Sequence, residues 1–188
     1  MEQLFADPKR PLLDQAVPRN LAPLPLDAVA DYVEARFRRT RREVGSALAP
    51  LLEFTRGHPQ RSMMLAHYVW ERTPPAGEAD EQIWIAALDQ ASADGGPLMR
   101  AIWRALTANE RRVARALAVT TTPLYGDETA AAVGINRASI RRALESLVAG
   151  ADVIEAEGRP RLIDPMFELW LIERGLTPAS GADDFDDE

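Results

Sequence analysis

The sequence predicts a mainly α-helical chain: a small helical bundle followed by a helix-turn-helix unit carrying one β-hairpin. Three observations predict it. From Leu26 to Leu117, apolar residues recur at helical spacing in segments divided by Gly and Pro. After Pro123 come a short helical segment, a Gly-bearing turn and a longer helical segment. Behind them, Val153-Ile154 and Leu162-Ile163 flank a polar stretch holding Gly158 and Pro160, the pattern of a hairpin.

Residues 1–24 are punctuated by Pro8, Pro11, Pro18 and Pro23, which restrict the backbone and remove donors. They read as an extended linker, with at most a short helical piece around Leu12–Val17. The bundle is placed at residues 25–95. Leu26, Val29, Ala30, Val33 and Phe37 form the inner stripe of its first helix, with Arg36, Arg38 and Arg39 facing out. A second helix carries Leu48, Leu51, Leu52 and Thr55, and starts no earlier than Ser46 so that Pro50 falls in its first turn. Gly57 ends it and Pro59 opens a third, central helix to about Arg72. Pro74-Pro75-Ala76-Gly77 breaks that helix, and a fourth is expected from about Ala79 to Ala93. Asp94-Gly95-Gly96-Pro97 then reads as an interruption and a domain boundary, followed by a short helix with Leu98, Ile102 and Leu106. Thr107-Ala108-Asn109-Glu110 fits a capping box opening the next helix.

Residues 96–176 make up the second unit. Asp127–Val133 is a two-turn helix, Gly134-Ile135-Asn136 a turn, and Arg137 to about Ala149 a longer helix with Ile140, Leu144, Leu147 and Val148 inside. With the hairpin behind it, this is the local order of a winged helix. Helical phase sets Ser139, Arg142 and Glu145 opposite the apolar seam, with Arg141 beside them. Candidate nucleic-acid contacts are therefore Arg137, Ser139, Arg141 and Arg142, joined by Arg159 and Arg161 on the wing, since arginine grips guanine or phosphate. The same arginines set against Glu145 also make an ordinary solvated face with i,i+4 pairing. DNA contact and protein docking both stay open. Asp164-Pro165 caps a terminal helix whose Met166, Phe167, Leu169, Trp170 and Leu171 pack onto the unit, and Trp70, Trp84, Trp103 and Trp170 read as core anchors.

Composition narrows the chemistry. At 188 residues, 46% hydrophobic and 27% charged, the chain has the make-up of a soluble globular protein, and no membrane partner is expected. Its 22 basic residues against 29 acidic give a net charge of −7. Five of those acids fall in Asp183–Glu188, so residues 177–188 read as an acidic disordered tail. With no cysteine there is no thiolate metal site and no cysteine nucleophile. His58 and His67 match no metal-ligand spacing, and Lys9, the sole lysine, lies in no phosphate loop. The chain is expected to be non-catalytic, to hold no metal or cofactor of its own, and to be cytoplasmic.

Four stretches carry a resemblance: Leu24-Pro25-Leu26 before an amphipathic helix, Thr55-Arg56-Gly57-His58-Pro59 between two helices, Trp103 to Thr107 leading into Arg111-Arg112-Val113, and Asp164-Pro165-Met166-Phe167-Glu168-Leu169-Trp170-Leu171 after the wing. Their order resembles the C-terminal part of archaeal-type ATPases of the AAA+/STAND class, where a helical lid precedes a winged helix. It covers roughly residues 20–174. The resemblance implies that Gly57, His58 and Pro59 are sensor-like positions facing a nucleotide. It also implies that ATP and Mg²⁺ belong to a P-loop core held in cis or missing, of which residues 1–24 are a remnant. Gly and Pro are equally routine punctuation between helices. The expected role is to couple nucleotide state to double-stranded DNA or to a partner. The alternatives are a stand-alone winged-helix DNA-binding transcription regulator and a pure interaction module.

Overall fold

Helix α1 (Leu26–Arg39) forms because Val29, Val33 and Phe37 recur every fourth residue and bury along one face. Arg36, Arg38 and Arg39 end it, where cations complement the helix dipole. The computed structural model describes residues 22–119, 133–156 and 158–174. A 3₁₀ turn at Gly45–Ala47 leads into α2 (Leu48–Thr55), with Pro50 in the first turn as its missing N–H demands. Just before that turn, the Glu43 amide donates to Gly77 O and the Ala79 amide to Glu43 O, both at 2.9 Å. This short parallel bridge staples the α1–α2 connection to the loop after α3 (Pro59–Arg72).

Helix α3 is central, as its apolar content predicts: Leu65, Ala66 and Val69 are buried, and it packs against α1, α2 and α4 (Glu81–Ala105). Asp80 caps α4 by accepting from the Ile83 amide. The interruption expected at Asp94–Pro97 is corrected here. One helix of 25 residues runs straight through Gly95, Gly96 and Pro97, absorbing both the expected fourth helix and the short one after it. Its buried residues Trp84, Ala87, Ala91, Gly96, Met99 and Trp103 line a continuous face. Packing along that face outweighs the hydrogen bond Pro97 deletes and the weak helix propensity of the two glycines.

Helix α5 (Ala108–Val119) opens on the expected capping box, Thr107 and Glu110 exchanging hydrogen bonds. Gly134, at φ +68°, and Asn136, which accepts from the Ser139 amide at 2.8 Å, set the turn into α6 (Arg137–Ala149). Strands β1 (Val153–Ala156) and β2 (Arg159–Leu162) pair antiparallel, Val153 opposite Leu162 and Ile154 opposite Arg161. Asp164 then caps α7 (Pro165–Glu173). Phe167, Trp170 and Leu171 of α7 are buried against α4 and α5, the Trp170 ring 6.1 Å from that of Trp103. Of the four tryptophans read as core anchors, Trp84, Trp103 and Trp170 are buried and Trp70 half-buried.

The described part is thus mainly helical with one two-stranded hairpin. No described helix is long and apolar enough to cross a membrane. The expected linker helix, nearly all of the Asp127–Val133 helix and the acidic tail lie outside the described residues.

Candidate functional site

The corner between α2 and α3 is built from two consecutive left-handed residues, Arg56 at φ +49° and Gly57 at φ +76°. A Cβ on Gly57 would sit 2.2 Å from the Leu24 carbonyl oxygen, and the Leu24 amide donates to Gly57 O at 2.8 Å. Only glycine satisfies both the backbone angle and this close approach. His58 follows as the N-cap of α3, its Nδ1 accepting from the Arg61 amide, and Pro59 takes the first helical position. Burial pushes the His58 imidazole below its ordinary value; the Asp164 carboxylate opposes that shift and the Arg61 guanidinium adds to it.

Opposite the corner stands the start of α7. Arg61 is only 5% exposed and donates through Nε and Nη2 to the two oxygens of Asp164, at 2.9 and 2.5 Å. This fork-on-carboxylate geometry is the strong form of an ion pair. Arg56 makes a second pair with Glu168, one turn further along α7. Asp164 therefore does two jobs, capping α7 through the Met166 amide and neutralising a buried guanidinium from α3. The Ile163 amide in turn donates to Asp152 O, tying the hairpin exit to its entry.

A cavity of about 100 Å³ lies within this junction, with Arg56, His58 and Pro59 on one side and Ile154, Arg161 and Ile163 on the other. The Nε of Arg161 is buried there and makes no hydrogen bond. Two guanidinium groups, an imidazole and no lining carboxylate favour a small oxyanion. The volume falls below the roughly 300–1,000 Å³ of sites that enclose a whole small ligand.

The structure divides the wing arginines anticipated from sequence. Arg161 turns toward the corner and joins His58 and Pro59, while Arg159 is exposed. Gly57 is buried beneath Leu24, so it shapes the corner rather than presenting an atom to a ligand. On α6, Arg137, Arg141 and Arg142 face solvent and Ser139 is half-buried. Arg141 pairs with Glu145 at 3.0 Å, one turn along. Arg142 and Ser139 border a shallow groove shared with Thr107 and Glu110 of the α5 start. Desolvation works against the ionised form of Glu110. Hydrogen bonds from Ser146 and from the Thr107 amide and hydroxyl nevertheless prevail and hold its carboxyl below the usual range, bracing α5 on α6.

Sequence reasoning missed Arg61, Arg56 and Glu168. The available signal was Arg61 itself: an arginine beside Ser62 and ahead of Leu65, on the side of α3 that faces the core. Compared with known proteins, the chain matches no family model, no curated protein and no solved structure.

Proposed function

We propose that this chain is the non-catalytic lid and winged-helix region of a P-loop ATPase, coupling the nucleotide state of a core in cis to DNA or partner binding in the cytoplasm. One observation carries this reading: Arg61–Asp164 and Arg56–Glu168 fasten the Gly57-His58-Pro59 corner directly to the helix that follows the hairpin. A nucleotide phosphate drawn to the corner competes for Arg56 and meets the unpartnered Arg161, so its arrival bears on hairpin and α7 together. ATP and Mg²⁺ chemistry stays with the core, because this chain has no phosphate loop. Reading the DNA upstream of this frame tests the proposal: it is expected to encode GxxxxGK[ST] in frame. Calorimetry on the 188-residue chain is expected to find very weak ATP binding at the corner, and a micromolar dissociation constant that Arg161→Ala abolishes overturns the reading.

The solvent-facing arginines of α6 favour a second reading, a stand-alone winged-helix DNA-binding transcription regulator. Such a regulator is a dimer that binds a palindrome with half-sites about 34 Å apart and loses affinity steeply with salt. Arg142→Ala then lowers DNA retention on a gel. A chain that retains no duplex DNA at low salt removes this reading.

A further inference from the structure

A cavity of about 410 Å³ opens between the second half of α1 and α3, on other side chains than those of the α2–α3 corner. Val33, Phe37 and Met63 give it an apolar floor, and the rings of Tyr32, His67 and Trp70 its walls. Tyr32 is 46% exposed, which leaves aromatic surface at the mouth. The Trp70 Nε1–H donates to Thr40 Oγ1, and the Thr40 hydroxyl donates to Phe37 O. With those donors satisfied, the walls offer ring and aliphatic surface.

The rim is cationic. Five arginines fall within residues 36–42. Arg36 lies over the Tyr32 ring at 5.0 Å and Arg42 over the Trp70 ring at 4.5 Å. Glu34 pairs with Arg38 and Glu71 with His67, whereas Arg36, Arg39 and Arg41 have no carboxylate partner among the described residues. The Arg36 guanidinium, which has no carboxylate partner among the described residues, and Arg42 over the Trp70 ring flank an apolar, ring-walled slot, which fits a flat aromatic group that carries negative charge. The volume lies in the usual range for small-ligand sites, roughly 300–1,000 Å³.

We infer that this slot binds a nucleoside phosphate, the base among the rings and the phosphate on Arg36 and Arg42. Selection rests on stacking and charge, so base identity matters little. The phosphate arrives on a free mononucleotide or within a single-stranded nucleic acid. The inference stands apart from the function proposed above, since none of its residues belongs to the corner or to α6.

The test uses the whole chain at low salt with two probes: adenosine monophosphate followed by calorimetry, and a fluorescein-labelled single-stranded homothymidine oligonucleotide followed by anisotropy. Saturable binding is expected, weakened about tenfold by Tyr32→Ala and again by Arg36→Ala, and unchanged by Arg104→Ala on the exposed face of α4. Both substituted side chains are solvent-facing, and circular dichroism verifies that the helices persist. Equal binding of the two probes identifies the free nucleotide as the source; binding of the oligonucleotide alone identifies the single strand. The inference is overturned if neither probe saturates, if binding survives both Tyr32→Ala and Arg36→Ala, or if only Arg142→Ala removes it.

Discussion

The α2–α3 corner and the outer face of α6 both display arginines next to carboxylates, and they use them in opposite ways. At the corner, Arg61 is 5% exposed and grips both oxygens of Asp164. On α6, the Arg141 side chain is 75% exposed and meets Glu145 through one nitrogen. Water and salt screen the second pair to little consequence, while the first, once half-removed, leaves a charge stranded away from solvent. Arginine is nearly this protein's only cation, so its count along the chain conveys nothing about role. Depth does. Corner arginines hold the shape of the molecule, and α6 arginines lie on its surface.

Asp164→Ala tests the comparison most severely. It strips the cap from α7 and leaves Arg61 unpaired, so urea denaturation is expected to show a loss of about 3 kcal/mol. Asp164→Asn, which retains a capping oxygen, loses less. A cost under about 1 kcal/mol for the alanine variant would put the corner on a par with α6 and end the contrast. Gly57→Ala comes next, at about 2 kcal/mol in the same assay, because its Cβ collides with Leu24 O at a left-handed φ.

A smaller effect comes from pH. The folded His58 holds its proton less tightly than the unfolded residue, whose pKa is about 6.5, so on acidification the unfolded chain takes up the proton first. Stability from neutral His58 is therefore complete above about 6.5 and declines as pH falls through that value toward the lower folded pKa. His58→Asn, which still caps α3, is expected to flatten the stability–pH curve in that window. Smallest of all, Arg141→Ala is expected to change stability by less than about 0.5 kcal/mol, and any change to shrink in salt.

Much of the fold was legible because it is local. Val29, Val33 and Phe37 announce α1, the Thr107–Glu110 box announces α5, and Asp164-Pro165 announces α7 without reference to anything distant. The failure at Asp94–Pro97 has an equally definite cause. Gly-Gly-Pro reads locally as punctuation, whereas buried residues recur at helical spacing on both sides of it, Trp84, Ala87 and Ala91 before and Met99 and Trp103 after. Apolar spacing on both flanks is the trace of one uninterrupted helix held by its neighbours. At the corner, Gly57, His58 and Pro59 stood out through backbone chemistry. Arg61 did not, because its partner lies 103 residues away and a long-range ion pair leaves no trace in local pattern. The inward turn of Arg161 was hidden for a related reason: only the docking of the hairpin decides which side of β2 meets α3.

Helix α4, at 25 residues, is a beam about 37 Å long that packs against both α3 and α7. It carries a single notch. Pro97 removes the rung that Ala93 O would receive, and Gly95 and Gly96 beside it have no side chains to brace the gap. A load that drives the two ends of the molecule apart is concentrated there, so flexure begins at a site fixed in the covalent chain while the stiff lengths on either side move as struts.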